Sequence, residues 1–441
     1  MRLSVIGTGY LGTTHAAAMA ELGHEVAAFD VDAGKVARLA RGEVPFYEPG
    51  LPALLTGNLA RGRLRLCRSL REAVDFAEVH FVCVGTPQRA GEYAADLRFV
   101  EAAMSEIAAL VRPGASVVGK STVPVGTAAR LAPMITAAGA SLVWNPEFLR
   151  EGLAVADTLR PDRIVIGVDR ARGGLDAVEA VYAPIVREHG TPTIVTDFAT
   201  AELVKVAANA FLATKISFIN AMAEVCEATG ADVTQLADAI GHDARIGHRF
   251  LRAGLGFGGG CLPKDIRAFM ARAGELGVDE ALTFLKNVDE INQRRRQRTV
   301  DLARELCDGS LAGRRVAILG LAFKPDSDDI RDSPALDVAM RIRREGALVR
   351  AYDPHAIANA RIAYPGLDYA ISEIDACDGA DVVLLLTEWE QFRALDPSAL
   401  KRVVARPFLV DGRNALPRRL WLEQGWEVRA LGRPHPDQRV T

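Results

Sequence analysis

Residues 3–12 read Leu-Ser-Val-Ile-Gly-Thr-Gly-Tyr-Leu-Gly: a short apolar run that breaks into a GxGxxG turn, followed by an alanine-rich stretch stopped at Gly23. A strand that feeds a helix through a tight turn accommodates that order. The next apolar run, 26–29, ends on Asp30, 18 residues after Gly12. Glycine suits each position for its own reason: Gly7 permits the turn, Gly9 lets a pyrophosphate reach the backbone, and Gly12 allows close packing, with the phosphates at the helix N-terminus. Asp30 would accept hydrogen bonds from ribose hydroxyls, and its charge would repel a 2′-phosphate. The expected cofactor is therefore NAD rather than NADP, held at Gly7, Gly9, Tyr10, Leu11, Gly12 and Asp30.

The same order returns late in the chain. Residues 315–319 form an apolar run, 320–324 read Gly-Leu-Ala-Phe-Lys, a helical stretch begins near Pro334 and stops at Gly346, and 349–352 lead to Asp353. Further apolar runs at 79–84, 116–118 and 164–166, and the echo of 77–84 in 380–387, read as strands alternating with helices. Such alternation implies a parallel, doubly wound sheet. Phe323 and Lys324 stand where the second turn would need small residues, so that unit binds a nucleotide differently or serves as a scaffold. Between the repeats, 199–230 carries one helical pattern with no internal Gly or Pro before Gly230, roughly 45 Å long at 1.5 Å per residue. The expected fold is α/β, two Rossmann-like doubly wound domains joined by a long central helix. The expected divisions are 1–198 for cofactor binding, 199–300 for a helical dimerisation and cysteine-bearing domain, and 311–441 for the second Rossmann-like domain.

Composition narrows the function. The chain has 441 residues, 49% hydrophobic and 25% charged, with a net charge of −3, which gives no electrostatic case for nucleic acid. The six cysteines show no CxxC pair and no nearby histidine cluster, so no metal site is expected and a reducing compartment fits best. The N-terminus does not resemble a secretory leader, and no apolar run of about 20 residues stands out to span a bilayer. A cytoplasmic protein without membrane association is the expectation.

The chemistry concentrates in 250–265, FLRAGLGFGGGCLPKD, where four of the six residues before Cys261 are glycine. No packed helix or strand favours that composition. Such a loop brings backbone and ligand together around a thiol, and Lys264 and Asp265 follow at once. A nearby cation favours the thiolate, the reactive form of a cysteine nucleophile. On the central helix Lys205 and Asn209 are four residues apart and share a face. A solvated stripe is the alternative to a substrate-facing pair. Two loops add polar groups: 121–127 (Ser-Thr-Val-Pro-Val-Gly-Thr), following a strand, and 145–152 (Asn-Pro-Glu-Phe-Leu-Arg-Glu-Gly), with two carboxylates four apart.

Taken together, the windows NPEFLREG (145–152), PDRIVIG (161–167), the cysteine loop, GLAFKPDSDDIRDSP (320–334) and DGRN (411–414) resemble the nucleotide-sugar dehydrogenase family, over about residues 1–420. That family oxidises a C6 alcohol to an acid in two NAD-dependent steps, and these windows side with the branch that acts on UDP-glucose. GDP-mannose and UDP-N-acetylhexosamine remain alternative substrates. The GGGC at 258–261 departs from the commoner Gly-Gly-Ser-Cys, which removes one possible hydrogen bond but keeps the nucleophile.

The resemblance implies that Cys261 attacks the intermediate aldehyde to give a thiohemiacetal, which is oxidised to a thioester and hydrolysed. It implies Lys205 and Asn209 as donors to the developing oxyanion, and Asp265, Glu147 and Thr122 as the groups that handle protons and position water. On the cofactor side it adds Lys35, Thr86, Thr122, Glu151, Lys264 and Arg331. For the sugar nucleotide it implies Phe148, Leu149, Glu151, Lys205, Asn209, Phe250, Leu251, Arg252, Ala253, Gly254, Gly258, Phe323, Lys324 and Arg413. Arg245 lies in a segment that in this family crosses to a partner subunit, and a homodimer is expected. Two readings from other classes compete: a silent NAD or nucleotide-sugar sensor, which has no need of a nucleophile, and a two-electron hydroxy-acid dehydrogenase, which has no need of a cysteine in a glycine loop.

Overall fold

The computed structural model describes residues 1–434. The chain forms two compact units: Met1–Ala208 with Arg267–Asp279, and Asn209–Ile266 with Glu280 onward. The boundary falls inside the long helix, so the expected middle segment is shared between the two.

In the first unit eight strands run β1 (Arg2–Ile6), β2 (Glu25–Phe29), β3 (Leu64–Leu66), β4 (Val79–Val82), β5 (Ser116–Gly119), β6 (Ser141–Trp144), β7 (Ile164–Val168) and β8 (Thr193–Thr196). Their order in the sheet is β3-β2-β1-β4-β5-β6-β7-β8. Residues alternate between the two faces: Phe81 and Val143 belong to one core cluster, and their neighbours Val82 and Leu142 to the other. This explains the near-continuous apolar runs in the sequence, since a parallel sheet covered on both faces buries every position. The expectation of an all-parallel sheet needs one correction. β7 pairs antiparallel with β6 through Val143↔Val168 and Trp144↔Gly167, because the short helix Ala154–Leu159 between them returns the chain without a full crossover.

The second unit holds six strands, β9 (Arg315–Leu319), β10 (Leu348–Tyr352), β11 (Asp368–Tyr369), β12 (Val382–Leu385), β13 (Phe408–Asp411) and β14 (Glu427–Ala430). Their order, β11-β10-β9-β12-β13-β14, repeats that of the first six strands of the other sheet, as the internal echo predicts. In both sheets the order reverses beside the first strand, and the crevice at such a reversal is where open α/β sheets bind ligands.

The long helix spans Phe198–Thr229. It is long and apolar enough by length and composition to cross a membrane, contrary to the reading that no such stretch exists. Its burial marks it as a core helix: Ala201, Val206, Ala210, Ala213, Ile219 and Ala223 are inside, together with the polar Glu202, Lys205, Asn209, Ser217 and Asn220. Buried polar side chains with protein partners are what a protein interior satisfies and a lipid interior does not.

Candidate active site

In the first unit, β1 leads through Gly7 into the helix Tyr10–Glu21, whose N-cap Gly9 supplies no side-chain cap. No side chain at the cap competes for the first amides of that helix. Gly7 has φ +92, and a Cβ on Gly12 would lie 1.8 Å from the Gly7 carbonyl oxygen. A Cβ on Gly9 would meet nothing within 4 Å, so the middle glycine faces open space. That asymmetry fits a dinucleotide: two glycines close the turn, and the third leaves room for a pyrophosphate. The adjoining cleft, about 480 Å³, joins Gly9, Asp30 and Lys35 to apolar walls that include Val84, Phe99 and Ala103, suited to a flat base.

Asp30 is held ready. Its carboxylate accepts from the Thr8 amide (2.7 Å), the Thr8 hydroxyl (3.1 Å), the Asp32 amide (3.0 Å) and Lys35 Nζ (3.0 Å). Burial alone would raise its pKa, but the amides of Asp32 and Thr8 and the Lys35 ammonium outweigh it and hold the carboxyl below the usual range. The equivalent acid of the second unit, Asp353, is consumed internally. It accepts from the Leu321, Ala322, His355 and Ala356 amides and from Trp389 Nε1 at 2.8–3.1 Å. The second turn is thus braced by its own aspartate, and Phe323 and Lys324 follow, Lys324 lying 5.7 Å over the Phe323 ring.

The 145–152 loop follows β6. Glu147 pairs with Lys205 at 3.0 Å, the two side chains being about 10% and 5% exposed, and also accepts from the Leu149 amide at 2.8 Å. Phe148 is flanked by cations, with Arg163 at 3.9 Å and Lys205 at 5.6 Å from its ring centre. Behind them, Asn145 Oδ1 accepts from Lys120 Nζ (2.9 Å) and the Tyr182 hydroxyl (2.6 Å), while its amide donates to the Val165 carbonyl (2.8 Å). Burial brings the Lys120 pKa down to about 8, with Cys83 and Glu147 opposing the drop. On the sequence side, Tyr10 does more than occupy the glycine turn. Its hydroxyl bonds Glu48 and accepts from the Gly152 amide, while Glu48 accepts from the Gly152 and Ala154 amides. Thr86 and Thr122 are linked, the Thr86 hydroxyl donating to the Thr122 carbonyl at 2.7 Å. Glu151 is buried.

In the second unit, Cys261 precedes the helix Leu262–Glu275, its carbonyl accepting the first helical bond from the Asp265 amide at 2.9 Å. It is exposed, and the other five cysteines are buried. All five, Cys67, Cys83, Cys226, Cys307 and Cys377, have thiol pKa values raised foremost by burial. A helix N-terminus favours the thiolate, a contribution not visible from the glycine loop alone. The adjacent lysine acts elsewhere: Lys264 Nζ bonds Asp265 at 2.7 Å, and Asn209 Nδ2 donates to the other oxygen of Asp265 at 2.6 Å.

The run of glycines before Cys261 has a packing cause. A Cβ on Gly258 would lie 2.5 Å from the Asp332 carbonyl oxygen, one on Gly259 2.8 Å from the Phe323 ring, and one on Gly260 2.3 Å from the Arg331 guanidinium. The 323–334 loop therefore lies directly on the cysteine loop, and Phe323 and Arg331 line it through these contacts. Leu251 and Ala253 are buried, and Gly254 donates its amide to Asn220 Oδ1 at 2.9 Å. Phe250 takes a left-handed backbone, φ 65, next to Leu251 and Arg252. Arg413 is a brace: its guanidinium donates to the carbonyls of Leu386 (2.8 Å), Gly256 (3.2 Å) and Phe323 (3.0 Å). Arg245 stands apart on an exposed turn, bonded to Asp243.

Two Rossmann-type sheets, of which the first keeps an intact dinucleotide turn and the second a braced one, define a dinucleotide-dependent oxidoreductase. Comparison with known proteins is specific beyond that class. The NAD binding domain of the UDP-glucose/GDP-mannose dehydrogenase family matches residues 1–186, its central domain 199–294 and its UDP binding domain 317–418, and the chain belongs to that family. UDP-glucose 6-dehydrogenases of Rhizobium meliloti and Pseudomonas aeruginosa are each 42% identical, the first over 98% of this chain and 100% of its own, the second over 98% of both. The structure of a UDP-glucose dehydrogenase from the archaeon Pyrobaculum islandicum superposes with a TM-score of 0.86 at 40% identity, over 95% of each chain.

Proposed function

We propose that this chain oxidises the C6 alcohol of UDP-glucose to the carboxylate, UDP-glucuronate, consuming two NAD per sugar. The observation that carries the reading is Cys261 at a helix N-terminus, four residues before a buried aspartate that Asn209 and Lys264 hold on both oxygens. Full-length relatives named for this substrate support it.

Bound NAD would be held at Gly7, Gly9, Gly12 and Asp30 and would supply the hydride acceptor for both oxidations. The residues of the chain do the rest. Cys261 Sγ adds to the aldehyde carbon, forming a C–S bond as the carbonyl π pair moves to oxygen. Lys205, with Asn209, is assigned to stabilise that oxyanion. Once the carbon reaches the thioester level, water attacks it and the C–S bond breaks, returning the thiolate. Asp265 and Glu147 are assigned to hold and move the protons, with Thr122 positioning water. Thr86, Lys35, Glu151, Lys264 and Arg331 are assigned to the cofactor, and Phe148, Leu149, residues 250–254, Gly258, Phe323, Lys324 and Arg413 to the sugar nucleotide. The assignment keeps three functional segments, 1–198, 199–300 and 311–441, and places the protein in the cytoplasm.

The assignment includes a homodimer. Phe211, Phe218 and Val225 on the long helix are 66%, 50% and 51% exposed and recur every seven residues, an apolar seam that a second copy of the same helix would cover. Light scattering on the intact protein should give twice the chain mass, and Phe218→Asp should shift it toward one chain.

NAD reduction with UDP-glucose, GDP-mannose and UDP-N-acetylmannosamine tests the substrate. Fast turnover with UDP-glucose and two NADH per sugar is expected. Preference for GDP-mannose would overturn the sugar assignment, and one NADH per sugar would overturn the four-electron reaction.

A further inference from the structure

The helix Val233–Gly241 ends on His242 as its C-cap, and the chain then turns through 243–247 and returns at His248. Asp238 and His242, four residues apart, share one face of the helix end. His242 Nε2 lies 3.9 Å from one oxygen of Asp238, and His248 Nδ1 lies 3.8 Å from the other. The two imidazoles meet edge to face, their centres 4.9 Å apart. One ligand atom from each of the three residues falls within 4.8 Å of both others.

Two features of the backbone produce this convergence. A Cβ on Gly241 would lie 2.3 Å from His248 Nδ1, so only glycine at the helix end lets that ring come in. The turn is closed by the amides of Ile246 and Gly247 on the Asp243 carbonyl, both at 2.9 Å, with Gly247 at φ +70, and Lys215 Nζ bonds the Ile246 carbonyl at 2.9 Å. His248 is thus returned to the helix by a hydrogen-bonded turn.

We propose that Asp238, His242 and His248 form a binding site for a divalent transition-metal ion of the zinc, cobalt or nickel kind. Two imidazoles and one carboxylate match the ligand preferences of these ions and leave a fourth position for water, whereas calcium and magnesium take oxygen ligands. Ligand bonds of about 2.0–2.2 Å require the three donors to draw in by less than an ångström each, which exposed side chains can do. Asp238 and His248 also line a cleft of about 400 Å³ with Arg252, Glu388, Arg393 and Arg413, so a bound ion would stand at its rim and tie the Arg245 turn to the helix end. The sequence carried only Asp238 and His242 in register. The third ligand comes from the fold of the turn.

The test uses the full-length protein, freed of metal by chelation and titrated with Co²⁺. One ion per chain should bind, giving d–d absorption without a thiolate-to-metal charge-transfer band. His242→Gln and His248→Gln should each weaken binding by about tenfold or more, since even partners beyond the ligand shell are worth that much. All three residues are exposed, so the metal-free variants should melt with the parent protein, whereas Co²⁺ should raise the melting temperature of the parent alone. Absence of binding at millimolar Co²⁺, or binding unchanged in both variants, overturns the site. So does a charge-transfer band that disappears in Cys261→Ser, which would put the ion on the thiol.

Discussion

Asn209 donates its amide to Asp265 at 2.6 Å from a position 56 residues earlier in the chain. Both are buried, and Lys264 occupies the other carboxylate oxygen at 2.7 Å. The amide therefore fixes the Asp265 side chain, and under the proposed function the second N–H of the same NH₂ group would be offered to substrate. Asn209→Ala should lower kcat about tenfold to a hundredfold, as expected for a hydrogen bond to a charged group worth about 1.5–3 kcal/mol. NADH formation at saturating substrate reads this directly. A change confined to KM, with kcat intact, would place Asn209 in binding alone.

Cys261 is argued to carry the reaction past the aldehyde. Cys261→Ser should still bind NAD and UDP-glucose but release acid about a thousandfold more slowly or worse, on the order of 4 kcal/mol of barrier. Calorimetry checks the binding, and chromatography of the product checks the acid. Acid formation near the parent rate would reject the covalent route.

The glycine turn yields a paired prediction. Gly9 has φ −70, and an added methyl would meet nothing. Gly9→Ala should therefore leave the melting temperature unchanged while weakening NAD binding about tenfold or more, 1.4 kcal/mol or above. Gly12→Ala puts a methyl 1.8 Å from a carbonyl oxygen and should destabilise the fold itself by about 1–3 kcal/mol or more, as overpacking does. Equal thermal effects from the two would mean that Gly9 is structural too.

How far the sequence could be read depends on where each residue finds its partner. The glycine turn, Asp30 and the cysteine loop carry their reasons within a few residues of one another. The central strands β1, β2, β4, β5, β7, β9, β10 and β12 follow from apolar runs of strand length, whereas the short or mixed β3, β6, β8, β11, β13 and β14 do not stand out. Glu48 left no such trace, because it holds amides 104 and 106 residues away, at Gly152 and Ala154. Glu202 is similar. It caps the helix Thr127–Ala137 by accepting from the Gly126 and Ala128 amides at 2.7 and 2.6 Å, with burial pushing its pKa up to about 7. Neither acid sits in a motif, so periodicity and spacing pass over both. Lys264 was legible as a cation beside Cys261, but its bond to Asp265 depends on the helix that only the fold reveals. The antiparallel β7 turns on how a six-residue helix returns the chain, which an apolar run does not encode.

Lys120 makes a prediction about pH. It directly follows β5, is buried, and is satisfied by Asn145 Oδ1 at 2.9 Å and the Tyr182 hydroxyl at 3.3 Å. Burial lowers its pKa from 10.5 to about 8. Between those values the unfolded chain binds the proton and the folded chain does not, so stability rises with pH across the window. The contribution is complete above 10.5 and lost as the pH falls through about 8. The shift corresponds to a change of about 3 kcal/mol. Lys120→Met keeps much of the volume without the charge and leaves Asn145 Oδ1 bonded to Tyr182 at 2.6 Å, so it should flatten that rise. At neutral pH it should be at least as stable as the parent, since it no longer buries an ammonium. Urea midpoints at intervals from pH 7 to pH 10 test both expectations. Parallel rises in the two proteins would assign the dependence to another group, and a large loss of stability in Lys120→Met at pH 7 would mean that the charge anchors Asn145 and the start of the 145–152 loop.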